Sequence, residues 1–250
     1  MEHCNASITP DEARLQLSKS EDEQDVDITQ YKRLIGSLRY LCNTRPDLAF
    51  SVGIASRFME KPKVSHLAAI KRILRYIKGT LGCGILSPAT DNGGKCKLLG
   101  YTDSSWCGDK DDKKSTAGCV FMFGGAPISW CSKKEPVVAV SSCEAEYIAV
   151  SLCVCQAVWL RNLLKELGSS FDSVVTLLVD NISAINLVKN PIALGRSKHI
   201  EMCFYYLRDM VSASYLRLGY CRSEEQVADL LTKAVSNFQE AIEEIGHEEC

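Results

Sequence analysis

Four acidic residues, each set in a mostly apolar stretch, place the strongest constraint on the fold of this chain. They are Asp103 in LLGYTDSSW, Glu144 in AVSSCEAEY, Asp180 in TLLVDNISA and Asp229 in QVADLLTK. Taking a carboxylate out of water is costly unless it gains a partner. Taken singly, Asp180 could cap the helix that follows it, and Asp229 could pair with Lys233 four residues later. Four such residues together predict a shared cation.

The segments that carry these acids predict an α/β domain. From residue 97 onward the pattern indicates three antiparallel strands, a helix, a strand, two helices, a strand and a final helix, which is typical of a mixed five-stranded sheet flanked by helices. If the first and fourth strands are neighbours at the centre, Asp103 and Asp180 lie side by side. Glu144 and Asp229 then reach them from flanking helices. Glu146, two residues after Glu144, is expected to point elsewhere on its helix.

Oxygen ligands alone favour Mg²⁺ or Mn²⁺ over zinc. Four carboxylates held close together repel one another unless divalent cations neutralise them. A pair of such ions can activate a water molecule and stabilise the leaving oxygen in phosphodiester hydrolysis. The 13 cysteines include no CxxC pair, so we interpret them as free thiols in a reducing compartment.

The rest of the chain divides by composition. A polar, acidic lead-in is expected to be flexible, three amphipathic helices follow it, and a Gly- and Pro-containing stretch marks a domain boundary near residues 85–95. In order, the predicted segments are the lead-in 1–27, the helical segment 28–85, the α/β domain 95–235 and an acidic tail 236–250.

Charge is distributed unevenly along the chain. Residues 1–30 carry −6 and residues 235–250 carry −5, which leaves +9 for residues 31–234 out of a net −2. A basic body with acidic ends fits a nucleic-acid partner, and an ordinary solvated surface fits it as well. On the third predicted helix, Lys71 and Arg75 lie opposite the apolar face and are candidates for phosphate contact.

Several motifs in order resemble one family. YTDSSWCGD, KKSTAG, ISWCSKK, SSCEAEY, VDNISAI, RSKHIE and QVADLLTK are similar to the ribonuclease H domain of copia-type retrotransposon Pol polyproteins. Upstream, YKRLIGSLRYLCNTRPDLAF, SRFMEKP and KRILRYIKGT are similar to the end of the reverse transcriptase in the same family. The resemblance covers about residues 2–235. It implies a ribonuclease H-like fold that cuts the RNA strand of RNA–DNA hybrids with two Mg²⁺ or Mn²⁺ ions.

Carried over residue by residue, the resemblance makes Asp103, Glu144, Asp180 and Asp229 the metal ligands. Ser104 and Ser105 are expected to hydrogen-bond the RNA strand or its 2′-hydroxyls. Three basic residues that precede a helix are expected to contact phosphate: Arg196, Lys198 and His199. For His199, a purely structural role is the alternative. No small-molecule cofactor is expected.

The chain also departs from the family. The segment GYCRSEEQVAD lacks the histidine that many ribonucleases H carry there, and the polymerase Asp-Asp motif is absent, so no reverse transcriptase activity is expected. A catalytically silent relic or nucleic-acid-binding module is therefore one alternative. Another is an effector-like interaction protein, suggested by the RxLR string Arg72–Arg75. No run of 18 apolar residues and no signal-peptide pattern occur, which favours an intracellular protein without a membrane partner.

Overall fold

Three helices form the first part of the structure. The computed structural model describes residues 4–12, 16–19, 22–88, 96–169, 171–189, 198–235, 238 and 247–249. The helices are α1 (Ile28–Leu41), α2 (Ala49–Ala55) and α3 (Val64–Gly79). Asp27 caps α1, because its carboxylate accepts hydrogen bonds from the N–H groups of Thr29 and Gln30.

The described part of the lead-in, which the sequence predicts to be flexible, forms hydrogen bonds with α3. The Ser7 N–H donates to the Arg75 carbonyl over 3.3 Å, and Arg72 donates to the Thr9 hydroxyl over 2.9 Å. Further along, the Lys63 ammonium lies 2.7 Å from Asp25. These hydrogen bonds and this ion pair join Ser7, Thr9 and Asp25 of the lead-in to α3 and to Lys63, which precedes it.

The second part is built on a mixed five-stranded sheet, as the sequence predicts. Its strands are β2 (Leu98–Ser105), β3 (Thr116–Phe123), β4 (Ala126–Lys134), β5 (Val175–Val179) and β6 (Leu216–Tyr220). They lie in the order β4-β3-β2-β5-β6, and β2 pairs antiparallel with β3 and parallel with β5. The first and fourth predicted strands, β2 and β5, are therefore central neighbours.

Helices cover both faces of this sheet. On one face lie α4 (Ser142–Glu166), α5 (Ile182–Lys189) and α6 (Lys198–Ser212), and their apolar side chains pack with Phe121 and Leu177. On the other face, α1 to α3 pack against Val120 and Leu231. Successive residues of a strand point to opposite faces, so Val120 and Phe121 serve different cores.

Helix α4 is long and apolar enough to cross a membrane by length and composition, and 56% of its most apolar window is buried inside the fold. Burial of this extent is what a central helix packed on a sheet shows. The helix is amphipathic only weakly because the sheet contacts one side of it and α5 and α6 contact another.

The last predicted helix is not a single α-helix. Two 3₁₀ helices stand in its place, Ser223–Glu225 and Val227–Leu231. Outside the main sheet, β1 (Cys83–Ile85) pairs antiparallel with β7 (His247–Glu249). Most of the predicted boundary at 85–95 and most of the predicted tail at 236–250 lie outside the described residues.

Candidate metal centre

Three carboxylates meet where the two central strands end. Asp103, Asp180 and Glu146 each offer an oxygen, and these three oxygens all lie within 4.8 Å of one another. The parallel register pairs Tyr101 of β2 with Leu178 of β5, so two residues further along the chain come Asp103 and Asp180 on the same side. Sheet topology alone therefore brings these two acids together.

Glu146 completes the group from α4. It is 6% exposed, and its pKa is raised to about 10 by burial and then by the charges of Asp103 and Asp180, against a hydrogen bond from the Ser104 N–H. Its Oε2 atom is buried and accepts no hydrogen bond from the described residues. An oxygen of this kind is ready to bind a cation, and an all-oxygen donor set suits Mg²⁺ or Mn²⁺.

Glu144 lies elsewhere, and the expectation that it faces Asp103 is corrected. Its Oε2 accepts a hydrogen bond from the Val140 N–H at 2.7 Å, and its own N–H donates to the Ser141 cap. Residues two apart on an α-helix are about 200° apart around its axis, so Glu144 and Glu146 point to different sides of α4. The structure brings Glu146, not Glu144, into the acidic cluster.

The sequence holds a signal that would have found Glu146. Helical spacings of four and three residues run from Glu146 through Val150 and Cys153 to Ala157, and all four are buried. Glu146 is the first member of the stripe that faces the sheet. The run of small and apolar residues around the whole of α4 obscures this stripe.

Asp229 lies beside the cluster on the 3₁₀ helix Val227–Leu231. Its pKa is raised to about 7 by burial and by the charge of Asp103, while Lys233 opposes the shift. Its Oδ2 atom is 2.7 Å from the Lys233 ammonium, and its Oδ1 atom is buried without a hydrogen bond from the described residues. Asp229 thus borders Asp103 without being one of the three mutually close acids.

A glycine lets the segment of Asp229 approach the sheet. Gly118 of β3 stands directly opposite Asp103 of β2. A Cβ atom at Gly118 would lie 2.6 Å from Thr232 Cγ2 and 2.8 Å from Leu231 Cβ, which is closer than real Cβ contacts. The hydroxyl of Thr232, on the same segment, donates a hydrogen bond to Asp103 Oδ2.

Lys233 contributes positive charge to the centre. Burial lowers its pKa, but Asp103, Asp229 and Asp180 outweigh that effect and hold the pKa above its ordinary value. Its side chain is about half exposed. The ammonium therefore lies within the field of three of the four predicted ligands.

Ser104 and Ser105 were predicted to contact nucleic acid. The Ser104 hydroxyl donates to Glu135 Oε1 at 2.8 Å, and the Ser105 hydroxyl accepts from the Thr116 N–H at 3.3 Å. Both hydroxyls are thus engaged within the protein. Glu135, which the sequence analysis passed over, is 1% exposed, and burial together with the charge of Glu144 raises its pKa to about 7.

The predicted phosphate contacts are spread apart. Lys71 is exposed on α3, whereas Arg75 is partly buried and its Nε atom has no hydrogen-bond partner among the described residues. Arg196 lies outside the described residues. Lys198 and His199 begin α6, where the backbone alone is described. The structure does not bring Lys71 or Arg75 to the acidic cluster.

Comparison with known proteins adds independent information. No protein-family model matches the chain. The chain is 40% identical over 222 residues to a retrovirus-related Pol polyprotein from transposon RE1 of Arabidopsis thaliana, covering 88% of this chain and 15% of that protein. It is 43% identical over 131 residues to secreted RxLR effector protein 161 of Plasmopara viticola, covering 52% of this chain and 90% of that protein.

Solved structures share the architecture at low sequence identity. A foamy viral protease–reverse transcriptase in complex with double-stranded DNA matches with a TM-score of 0.51 at 10% identity, over 82% of this chain and 33% of that one. An RNase H1 in complex with an RNA/DNA hybrid matches with a TM-score of 0.40 at 15% identity, over 58% of this chain and 99% of that one. The chain thus has an α/β fold with a mixed five-stranded sheet flanked by helices, and it shares this fold with the reverse transcriptase structure.

The Pol polyproteins are much longer than this chain, which spans about 15% of the length of the first two that it matches. Within that span the identity is sustained, at 39% over 222 residues for the transposon RE2 polyprotein of Arabidopsis thaliana. Over most of its length the chain is therefore a relative of one segment of copia-type retrotransposon Pol polyproteins.

Proposed function

We propose that this chain is a metal-dependent endonuclease that hydrolyses the RNA strand of RNA–DNA hybrids. The observation that carries the proposal is the cluster of Asp103, Glu146 and Asp180 on a ribonuclease H-like sheet. Its oxygen donors fit Mg²⁺ or Mn²⁺. Its position at the ends of two parallel strands is where α/β folds commonly place their ligands.

The chain's own residues hold and orient the ligands. Asp103, Glu146 and Asp180 would bind the cation, and Asp229 would complete the set on the other side of Asp103. The Ser104 N–H fixes Glu146, and the Thr232 hydroxyl fixes Asp103. Bound divalent ions supply an activated water molecule and stabilise the developing charge in phosphodiester hydrolysis. No reverse transcriptase activity is proposed.

The test is cleavage of a labelled RNA–DNA hybrid by the purified chain with Mg²⁺. We expect RNA fragments from the hybrid and none from an all-DNA duplex of the same sequence. Asp103→Asn, which keeps the size of the side chain, should abolish cutting while the far-UV circular dichroism stays unchanged. A folded wild-type chain that cuts no faster than this variant would contradict the proposal.

A silent relic or nucleic-acid-binding module gives a different outcome in the same assay. It would retain the hybrid in a gel-shift measurement at low salt and leave the RNA intact with either Mg²⁺ or Mn²⁺. The intact acidic cluster favours the nuclease over this alternative, because each of its ligand positions holds a carboxylate.

The effector-like alternative rests on the string Arg72–Arg75 and is supported by the similarity to RxLR effector protein 161. In the structure the string lies inside α3, where Ile73 is 1% exposed and Arg72 donates a hydrogen bond to Thr9. A short linear motif has to be accessible in order to be bound. The packing of α3 therefore disfavours recognition of this string in the folded chain.

A further inference from the structure

The acidic centre consists of two halves that share Asp103. One half is the group of Asp103, Glu146 and Asp180, whose oxygens are mutually within 4.8 Å. The other half is formed by Asp103 and Asp229, because the Thr232 hydroxyl donates a hydrogen bond to Asp103 Oδ2 while the N–H groups of Thr232 and Lys233 donate to the Asp229 carbonyl. Asp229 is brought there by the 3₁₀ segment that packs over Gly118.

The two halves differ in the cations that the protein itself supplies. In the second half, the Lys233 ammonium lies 2.7 Å from Asp229 Oδ2. Among the ion pairs of the described residues, none ends on Asp103, Glu146 or Asp180. The protein's own ammonium therefore contacts the second half, whereas the first half has no such contact among the described residues and is left to an external cation.

We propose that Lys233 is a built-in competitor for the second divalent cation, so that the two halves fill in sequence. This inference rests on the metal site of the proposed function. The first ion binds among Asp103, Glu146 and Asp180, where no ammonium has to move. A second ion beside Asp229 requires the ammonium to leave, because a unit charge in contact with the carboxylate repels a divalent ion a few ångströms away.

The lysine side chain is suited to such an exchange. Its side chain is 49% exposed, whereas that of Asp229 is 17% exposed, so the ammonium has a path to solvent while the carboxylate stays in place. A lysine carries its charge on a flexible four-carbon stem. Its departure frees Asp229 Oδ2, and Oδ1 already lacks a hydrogen bond from the described residues, so both oxygens are then available to a second ion.

The test measures Mn²⁺ binding to the whole chain by electron paramagnetic resonance and isothermal titration calorimetry, with no nucleic acid present. For the wild type we expect one tighter and one much weaker site. Lys233→Met keeps most of the stem and removes the charge, so it should strengthen the second site by about tenfold or more. It should strengthen the first site by a much smaller factor, because the Lys233 charge reaches Asp103 and Asp180 but forms its ion pair with Asp229. Asp229→Asn should remove the second site in either background.

Lys134→Met is the matched control. The Lys134 ammonium also lies 2.7 Å from carboxylates, those of Asp109 and Asp112, and its removal should leave both Mn²⁺ sites unchanged. Lys233→Gln is a second variant in case the methionine variant does not fold. Mn²⁺ binding with identical constants in wild type and both Lys233 variants would overturn this inference and leave the metal site standing. A folded wild type that binds no Mn²⁺ would overturn the inference and the proposed function together.

Discussion

At the scale of single residues, Ser104 links the metal centre to another buried carboxylate. Its N–H donates to Glu146 Oε1 over 3.2 Å, and its hydroxyl donates to Glu135 Oε1 over 2.8 Å. Glu135 is buried, and the charge of Glu144 contributes to its raised pKa. The protonation state of Glu135 therefore affects the stability of the fold around Ser104, which positions the candidate metal ligand Glu146.

Glu135 predicts a pH dependence of folding. Burial and Glu144 raise its pKa from 4.5 to about 7, so the native state binds more protons than the unfolded state between those values. Stability from this group is present below about pH 4.5 and is lost as pH rises through about 7, a change of about 3 kcal/mol. Urea unfolding with a chelator should show a flatter pH profile for Glu135→Gln than for wild type. Parallel profiles would show that Glu135 does not titrate in this range.

Because Glu146 and not Glu144 joins the acidic cluster, the glutamine variants of these two residues should behave differently. Glu146→Gln removes a ligand charge and should lower hybrid cleavage by about a hundredfold or more. Glu144→Gln keeps an oxygen that accepts from the Val140 N–H, so it should retain most of the activity. The reverse order of the two rates would restore Glu144 as the ligand.

Sequence reasoning located Asp103 and Asp180 because acids that end parallel strands share an edge of the sheet. It placed Glu144 rather than Glu146 beside them, because α4 is buried almost all round near its start and its sheet-facing stripe is obscured. Glu135 gave no signal, since an acid after two lysines at the end of a strand reads as surface. Its burial depends on contacts that only the folded chain makes.

At the scale of elements, a buried ion pair ties the loop after α1 to the end of α3. Asp47 is 1% exposed and accepts hydrogen bonds from Arg45 at 2.7 Å and from the Tyr76 hydroxyl at 2.8 Å. Arg45 also donates to the Thr80 carbonyl. Removing one partner of such a pair leaves an uncompensated buried charge.

Asp47→Ala should therefore lower the free energy of unfolding by about 3–5 kcal/mol, as measured by urea denaturation. Asp27→Ala, which removes the cap of α1 at an exposed position, is the control and should cost about 1 kcal/mol. Equal losses in the two variants would mean that Arg45 and Tyr76 find other partners when Asp47 is absent.

The final helix shows how a tertiary contact overrides a local pattern. SEEQVADLL has good helix formers, but Gln226 donates its side-chain N–H to the Thr102 carbonyl at 3.0 Å and accepts from the Ala228 N–H. Gln226 has an extended ψ of 88°, which ends the first 3₁₀ helix. The periodicity of this segment can be predicted from the sequence. The interruption at Gln226 cannot, because it depends on a hydrogen bond to β2.

At the scale of the whole molecule, one sheet serves two cores. Trp130 of β4 donates its indole N–H to the Cys42 carbonyl at 2.8 Å, and Val120, Leu230 and Leu231 pack with α1 to α3. The composition change between residues 85 and 95 predicted separate segments. The two segments nevertheless share an apolar contact, because α4 covers one face of the sheet and α1 to α3 cover the other.

We predict that the helical segment and the sheet unfold in one transition. In a variant with Trp130 as its sole tryptophan, fluorescence should report the interface while far-UV circular dichroism reports the helices and strands. The two urea midpoints should coincide, because the core of α1 to α3 is completed by Val120, Leu230 and Leu231 of the other part. Separate midpoints, with fluorescence changing first, would show that the helices leave an independently stable sheet.

Gly118 gives the centre a mechanical property apart from its electrostatics. The strand and the Asp229 segment touch there with no room for a methyl group. Gly118→Ala would act as a wedge about one carbon thick, which lifts Asp229 from Asp103 and leaves every charge in place. The distance between Asp103 and Asp229 can thus be changed without changing the charges of the site. A series of side chains at this position would calibrate how far apart the two acids can stand and still work together.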